Sequence, residues 1–215
     1  VDTGRQMWTI ATFSNRYKNL LNNCISLNTE GTILAIGNEG GELLIINANS
    51  GTLLQRYQVH TEDINSIYFV DDNNLITASR DGKVIISNIN DKNVTATFNH
   101  ESNVLFANII RGGQQIISAT AKGIYIWQTN SKEQSFFPIV HDNIESVAYD
   151  AQTNKIAIGT SNNSIYIKTL DRISNSGLVF QHGQSPKGEL FLFDSYNAIK
   201  HDPELIKKIQ ENSLA

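Results

Sequence analysis

The sequence of 215 residues lacks the features that mark several large classes of protein. It has one cysteine, Cys24, which excludes an internal disulfide framework and is consistent with a reducing compartment. Its apolar runs are too short to span a bilayer, so we expect no membrane span. The formal net charge is −4 and no stretch is strongly basic, which argues against nucleic acid because phosphate binding needs clustered lysine and arginine. We expect a cytoplasmic protein, with a valine at position 1 that indicates a processed or excised amino terminus.

Motifs that would carry catalysis are also missing. The glycines at 37, 40 and 41 lack the spacing of a phosphate-binding loop and are better explained as turn residues. Residues 183–188 are one residue too long for the sharp turn that exposes a nucleophilic serine. We therefore predict no catalytic residue, no metal site and no cofactor, and expect that the protein is not an enzyme.

A regular repeat is present. Two independent sets of positions recur with a period of 40 or 41 residues, which is typical of architectures whose units bury their apolar faces against their neighbours. The first set is His60, His100, His141 and His182. The second set, the last residues of short apolar runs, is Ile46, Ser87, Trp127 and Lys168.

Each repeat has the pattern of four short strands. In the second repeat these strands are predicted at 65–69, 74–79, 83–87 and 94–98. The runs are rich in β-branched and aromatic residues, and clusters of Asp, Asn and Gly separate them, as expected for antiparallel strands joined by tight turns. Four such strands form one blade of a β-propeller, so we predict an all-β fold.

These repeats resemble the WD-repeat family of β-propellers, and the resemblance covers residues 8–182. The residues that carry it are the four histidines, Gly40-Gly41, Asp81-Gly82, Gly123 and Trp127. The glycine of the family's Gly-His pair and the aspartate of its Trp-Asp pair are replaced in every repeat, so the match is stronger in spacing than in residue identity.

The resemblance implies a buried hydrogen-bonded set of histidine, serine or threonine, aspartate and tryptophan within a blade. The second repeat has His60 and Asp81 with Ser79 or Thr77 between them, but no tryptophan. The third has Trp127 with His100, and Ala121 where the aspartate would lie. We therefore interpret His60, His100, His141, His182, Asp81 and Trp127 as structural residues and favour this role over a metal site for the histidines.

The number of repeats predicts an incomplete ring. About four repeats fit in residues 1–182, whereas the family commonly has seven blades. Residues 7–13 resemble an outer strand, and 187–194 could supply one inner strand. An open propeller would expose apolar faces and strand edges. The additional blades could come from the rest of the polypeptide, from another chain, or from a second copy that completes eight blades.

The tail, residues 183–215, departs from the repeat and contains a predicted short C-terminal helix. Asp202 is suited to the N-cap, Pro203 to the first helical position, and Leu205, Ile206 and Ile209 lie on one stripe. A short helix is marginal alone. We favour a capping element packed on the last blade over a segment that docks into a partner.

Function is expected to come from loops that gather on one face of such a propeller. The predicted partner-binding residues are Asn38, Asp63, Arg80, Asn103, Lys122, Asn143 and Asn162. Arg80 is the best candidate anchor because arginine is enriched among binding hot spots. We predict a scaffold for a protein or peptide ligand. The alternatives are the sensor or regulatory segment of a larger enzyme and, last, a quinoprotein-type catalytic propeller.

Overall fold

The computed structural model describes residues 22–139, 142–170 and 191–192, in which strands form four separate four-stranded sheets. The predicted all-β fold built from propeller blades is confirmed. Residues 1–138 and 139–215 are two compact units, and each is described by itself. The first unit holds blades 1 to 3, and the second holds blade 4.

Each blade is made of consecutive strands. Blade 1 consists of β1 (Asn22–Leu27), β2 (Ile33–Asn38), β3 (Glu42–Asn47) and β4 (Leu53–Gln58). Blade 2 consists of β5 (Ile64–Phe69), β6 (Asn74–Ser79), β7 (Lys83–Asn88) and β8 (Val94–Asn99). Blade 3 consists of β9 (Val104–Ile110), β10 (Gln115–Thr120), β11 (Gly123–Gln128) and β12 (Gln134–Pro138), with a 3₁₀ turn at Arg111–Gly113. Blade 4 consists of β13 (Ile144–Asp150), β14 (Lys155–Thr160), β15 (Ile165–Thr169) and β16 (Phe191–Leu192).

Asparagine and aspartate side chains close many of the turns. Asn47 Oδ1 accepts hydrogen bonds from the backbone N–H groups of Asn49 (3.0 Å) and Ser50 (2.9 Å). Asp71 Oδ1 does the same in the β5–β6 turn, where it accepts from the N–H groups two and three residues later. These side chains satisfy backbone donors that the strand ladders leave open, which explains why the chain is rich in short amides between apolar runs.

A β-bulge recurs near the start of every innermost strand. The residue left out of the register is Asn23 in β1, Asn65 in β5, Leu105 in β9 and Glu145 in β13. A bulge adds one residue to one strand and increases the local twist. Its repetition shows that the four sheets share backbone geometry in addition to strand order.

Within the first unit the blades pack face to face. We call the face of blade 1 that packs on blade 2 its trailing face, and the face of blade 2 that receives it the leading face. Ala35, Leu43 and Ile45 of blade 1 form one buried cluster with Ile64, Ile67, Leu75 and Ile89 of blade 2. A second cluster joins Ile76, Ala78, Val84, Ile86 and Phe98 of blade 2 to Val104, Ala107, Ile116 and Trp127 of blade 3. The core therefore lies between the blades.

The boundary between blades 2 and 3 contains an aromatic pair. The rings of Phe98 in β8 and Trp127 in β11 lie 5.4 Å apart at an angle of 64°. The Nζ atom of Lys132 lies 5.9 Å from the centre of the Phe98 ring. An outer strand is thus held by an edge-to-face contact and by a cation on its aromatic ring.

The boundary between blades 1 and 2 uses different residues at the same positions. Tyr57 takes the place of the phenylalanine, Ser87 that of the tryptophan, and Nζ of Lys92 lies 5.7 Å from the centre of the Tyr57 ring. Burial raises the pKa of the Tyr57 phenol, and the Ser87 hydroxyl partly offsets this rise. Lys92 has a φ of 61° in the turn position that Gly51 occupies in blade 1, so a strained backbone presents the cation.

The outer strand of blade 4 differs from the others. The two residues of β16 run parallel to β15, whereas all pairs in the other three sheets are antiparallel. Residues 191–192 thus take the fourth position of the sheet, not the inner position expected for the segment 187–194. The predicted outer strand at 7–13, the tail helix at Asp202, and both His141 and His182 lie outside the described residues. Within the described ranges no helix has the length and apolarity needed to cross a membrane.

Candidate functional site

The loops between blades and the turns between second and third strands meet in the first unit. The backbone N–H of His60 donates to the Gly41 carbonyl (3.1 Å), and that of His100 donates to the Gly82 carbonyl (2.7 Å). The backbone N–H of Arg80 donates to the Asp63 carbonyl (2.9 Å). We call the surface formed by residues 38–42, 60–63, 79–83, 100–103 and 120–123 the loop face.

Glycine is required where these turns approach the next loop. Gly41 has a φ of +77°, and a Cβ atom there would lie 2.3 Å from the carbonyl oxygen of His60. Gly82 has a φ of +80°, and its Cβ would lie 2.9 Å from the carbonyl oxygen of His100. Both the left-handed backbone and the close approach exclude a side chain.

His60 is the centre of a buried polar set in blade 2. Its Nδ1 lies 3.0 Å from Asp81 Oδ2, and its Nε2 lies 2.8 Å from Thr77 Oγ1. Of the two candidates for the middle of this set, the structure places Thr77 beside the imidazole. The Ser79 hydroxyl instead accepts the backbone N–H of Asp81 (3.1 Å).

Asp81 connects the loop before blade 2 to the β6–β7 turn. Its carboxylate accepts backbone N–H groups from Thr61 (3.1 Å) and Lys83 (3.0 Å) in addition to the imidazole. Burial raises the pKa of this carboxyl, but the hydrogen bond and charge of His60 and the two backbone donors outweigh burial and lower it to about 2. The charged carboxylate therefore holds two loops of the loop face together through hydrogen bonds.

His100 in blade 3 has no aspartate that corresponds to Asp81. Its Nε2 lies 2.8 Å from Ser118 Oγ, which also accepts the indole N–H of Trp127 (3.0 Å). The β10–β11 turn has one residue fewer than the β6–β7 turn, so no position corresponds to Asp81. Burial lowers the pKa of the His100 imidazole to about 4 and outweighs hydrogen bonds with the backbone of Phe98 and Gly82, which raise it.

The chain matches a family model and a known protein over part of its length. A family model described as the WD40 domain of anaphase-promoting complex subunit 4 matches residues 3–72. Retinoblastoma-binding-like protein E of Dictyostelium discoideum is 31% identical over 93 residues, which are 42% of this chain and 18% of that protein.

Solved structures match the arrangement of strands more widely. The WD40 repeats of RRP9 superpose with a TM-score of 0.62 at 19% identity, covering 70% of this chain and 46% of that one. The β-propeller domain of Cps50 (Swd1) from Myceliophteria thermophila gives a TM-score of 0.60 at 17% identity, covering 69% and 53%. The chain therefore has the fold of WD-repeat β-propeller blades. It spans about half the length of those structures and a smaller part of the Dictyostelium relative.

Arg80 is one of the predicted binding residues whose side chains are exposed. Its side chain is 63% exposed on the loop face of the first unit. Nε lies 3.6 Å from Glu62 Oε2, and an Nη atom lies 3.6 Å from Asp63 Oδ2. Glu62 did not stand out in the sequence; its position next to Asp63, in the loop that meets the β6–β7 turn, is the feature that could have indicated it.

The other predicted residues of the first unit differ in how much side chain they present. Asn38 is 2% exposed, and its Oδ1 accepts the backbone N–H groups of Gly40 (2.9 Å) and Glu42 (3.0 Å), so it holds its own turn. Asn103 is exposed and accepts a hydrogen bond from the amide of Asn65 (2.6 Å), the bulge residue of the preceding blade. Lys122 is exposed in the short β10–β11 turn.

Asn143 and Asn162 lie on adjoining loops of the second unit. The carbonyl of Asn143 accepts the backbone N–H of Ser161 (3.0 Å). Asn162 Oδ1 accepts from the Thr160 hydroxyl (3.0 Å) and from the backbone N–H of Ser164 (3.2 Å). Both asparagines are exposed, although the Asn162 oxygen also closes its own turn.

Groups that could support metal binding or covalent chemistry are sparse in the described part of the chain. No cluster of three or more His, Cys, Asp or Glu side chains there could hold a metal ion. Burial raises the pKa of the Cys24 thiol to about 12, which keeps it protonated, and its Sγ contacts the Ile64 carbonyl (3.4 Å). The loop face has the chemistry of recognition by charge and hydrogen bonds.

Proposed function

We propose that this WD-repeat chain is a non-enzymatic, cytoplasmic scaffold that binds a protein or peptide on its loop face, with Arg80 as the anchor. The observation that carries the proposal is the exposed guanidinium of Arg80. Its distances of 3.6 Å to both carboxylates are longer than a direct hydrogen bond. Its N–H groups therefore remain available for carbonyl or carboxylate oxygens of a partner.

The rigidity of the surrounding loops supports this role. The Asp81 carboxylate fixes both the turn that carries Arg80 and the loop that carries Glu62 and Asp63, because it accepts N–H groups from both. A binding group on a fixed loop loses less conformational freedom on association than one on a loose loop. The name of the Dictyostelium relative describes a binding protein, which agrees with a scaffold.

The test compares two charge reversals. Arg80→Glu removes the anchor, and Lys155→Glu makes the same change of charge at an exposed residue in the second unit. Proteins captured by the unmodified chain are identified by mass spectrometry, and the affinity of the captured partner for each variant is measured by calorimetry. We expect Arg80→Glu to weaken binding about tenfold or more, as for a hot-spot residue, and Lys155→Glu to leave it unchanged. Equal affinities for both variants would refute the role of Arg80.

A further inference from the structure

We propose that Arg111, in the turn between β9 and β10, is a site of arginine methylation on the folded protein, and that a protein arginine N-methyltransferase modifies it. The β9 strand begins at Val104, next to the loop face, and ends at Ile110, where this turn starts. The turn thus lies at the opposite end of blade 3 from the loop face. The proposal is therefore independent of the ligand proposed for that face.

The residues that follow Arg111 distinguish it from every other arginine of the sequence. Gly112 and Gly113 come directly after it, whereas each of the other arginines is followed by a residue with a side chain. A methyltransferase must hold the guanidinium deep in a narrow pocket, so the backbone beside the arginine comes close to the rim of that pocket. Glycine permits such a close approach because it has no Cβ atom.

The backbone of this turn is left-handed at three successive residues. Arg111 has a φ of 53°, and Gly112 and Gly113 have φ values of 62° and 93°. Glycine adopts this conformation readily, but a residue with a side chain adopts it at a cost because its Cβ atom approaches a carbonyl oxygen. Strained residues of this kind concentrate at functional sites. An arginine at this position therefore indicates a role beyond the formation of the turn.

The corresponding turns of the other blades are closed by short polar side chains. Asn28 in blade 1, Asp71 in blade 2 and Asp150 in blade 4 each accept two backbone N–H groups of their own turn. A guanidinium has donors and no acceptor, so the Arg111 side chain cannot close its turn in this way. The backbone does so instead, because the N–H of Gln114 donates to the Arg111 carbonyl (3.3 Å).

The tip of the turn is open to an enzyme while its base is held. Arg111 and Gly112 are exposed, and a Cβ atom on either Gly112 or Gly113 would have no other atom within 4 Å. At the base, the Thr129 hydroxyl donates to the Gly113 carbonyl (2.6 Å), and the N–H of Thr129 donates to the Gln114 carbonyl (3.1 Å). The folded protein therefore presents Arg111 at a fixed position with free space beside its glycines.

Methylation at this position changes recognition without changing charge. A methyl group passes from the sulfonium of S-adenosylmethionine to an Nη atom of Arg111: the S–CH₃ bond breaks and an N–CH₃ bond forms. The displaced N–H proton goes to a base of the transferase, and S-adenosylhomocysteine is released. The guanidinium keeps its positive charge and loses a hydrogen-bond donor. We therefore expect the fold to be retained and the binding properties of the turn to change.

The first test is the position of the methyl label. The folded chain is incubated with a purified arginine N-methyltransferase that modifies arginine next to glycine, and with S-adenosylmethionine that carries a deuterated methyl group. Mass spectrometry of the digested chain is expected to find the label on Arg111 and none on Arg80. Arg80 is the internal control, because it is 63% exposed but is followed by Asp81. No label on Arg111, or equal labelling of both residues, would overturn the proposal.

Variants then test the role of the glycines. Gly112→Ala keeps Arg111 and is expected to slow its labelling about tenfold or more, because one added methyl group in a fitted enzyme site has an effect of this size. Gly31→Ala is the matched control, since both glycines are left-handed (φ of +62° and +68°) with open space around them. Circular dichroism establishes that both variants keep their sheets. Equal labelling rates in the two variants would contradict the assignment of this turn.

A destabilised variant separates modification of the folded protein from modification of the unfolded chain. Gly41→Ala introduces a clash with the His60 carbonyl at the loop face, far along the strands from Arg111 and in another blade. We expect it to leave the labelling rate of Arg111 unchanged. A rate that rises as stability falls would show that the transferase acts on the unfolded chain, and the proposed site on the folded turn would be wrong.

Discussion

The buried imidazole of His100 predicts that acid destabilises this protein at a pH where its carboxylates are still charged. Burial lowers the pKa of His100 to about 4, whereas the unfolded chain has the ordinary value near 6.5. As the pH falls below 6.5 the unfolded state takes up a proton that the folded state rejects. Stability is therefore complete above pH 6.5 and is lost progressively as the pH falls toward 4.

The magnitude follows from these two values. A site with a pKa of about 4 when folded and about 6.5 when unfolded lowers the free energy of unfolding by about 2 kcal/mol between pH 7.5 and pH 5. The shift of Asp81 does not interfere, because its pKa of about 2 makes its contribution disappear only below pH 4. His100 is thus the group whose described surroundings place a loss of stability in the window from 6.5 to 5.

Urea unfolding at half-unit steps from pH 7.5 to 5 measures the effect. His100→Gln keeps a side-chain amide near Ser118 but cannot titrate, so we expect its stability to fall less steeply over this range than that of the unmodified chain. Two parallel curves would refute the reasoning. An NMR titration in which the His100 ring protonates near pH 6.5 would also contradict it.

Two further substitutions test the backbone and the boundary between blades. Gly41→Ala should destabilise the protein by about 2 kcal/mol or more, since it adds a steric clash with the His60 carbonyl to the strain of a left-handed residue; Gly31→Ala, with a φ of +68° and open space around it, should lose only about 1 kcal/mol in the same denaturant assay. Lys92→Gly should change the free energy of unfolding by less than about 1 kcal/mol, because relief of the left-handed strain offsets the lost contact with the Tyr57 ring. A large loss in Lys92→Gly would show that the cation contributes more than this balance allows.

The sequence was sufficient to predict the repeat and the four strands of each blade in the first unit. These features depend on alternation of apolar residues and on turn residues, both of which are local. The choice between Ser79 and Thr77 beside His60 was open because it depends on the register of two strands. The structure resolves it in favour of Thr77.

Features that depend on neighbouring segments were not predicted. The short turn at Ala121-Lys122 was interpreted as a substitution for aspartate, but it is one residue shorter, so no residue can take that place. The burial of Asn38 also escaped prediction, because an amide that closes its own turn has the same sequence pattern as one that faces solvent. The parallel pairing of Phe191–Leu192 has no local pattern at all.

The aromatic contacts at the boundaries show where this protein could be divided for recombination. Ser87 lowers the pKa of Tyr57 across one boundary, and Phe98 contacts Trp127 across the next, so each side chain interacts with a residue of a different blade. A chimera that joins two blades in the loop between them would separate these partners. It would place a tyrosine against a tryptophan. A cut one strand earlier, between β3 and β4 or between β7 and β8, transfers each matched pair intact. The segment that can be exchanged with its boundary contacts intact therefore begins with the outer strand of the preceding blade, one strand before the sheet itself.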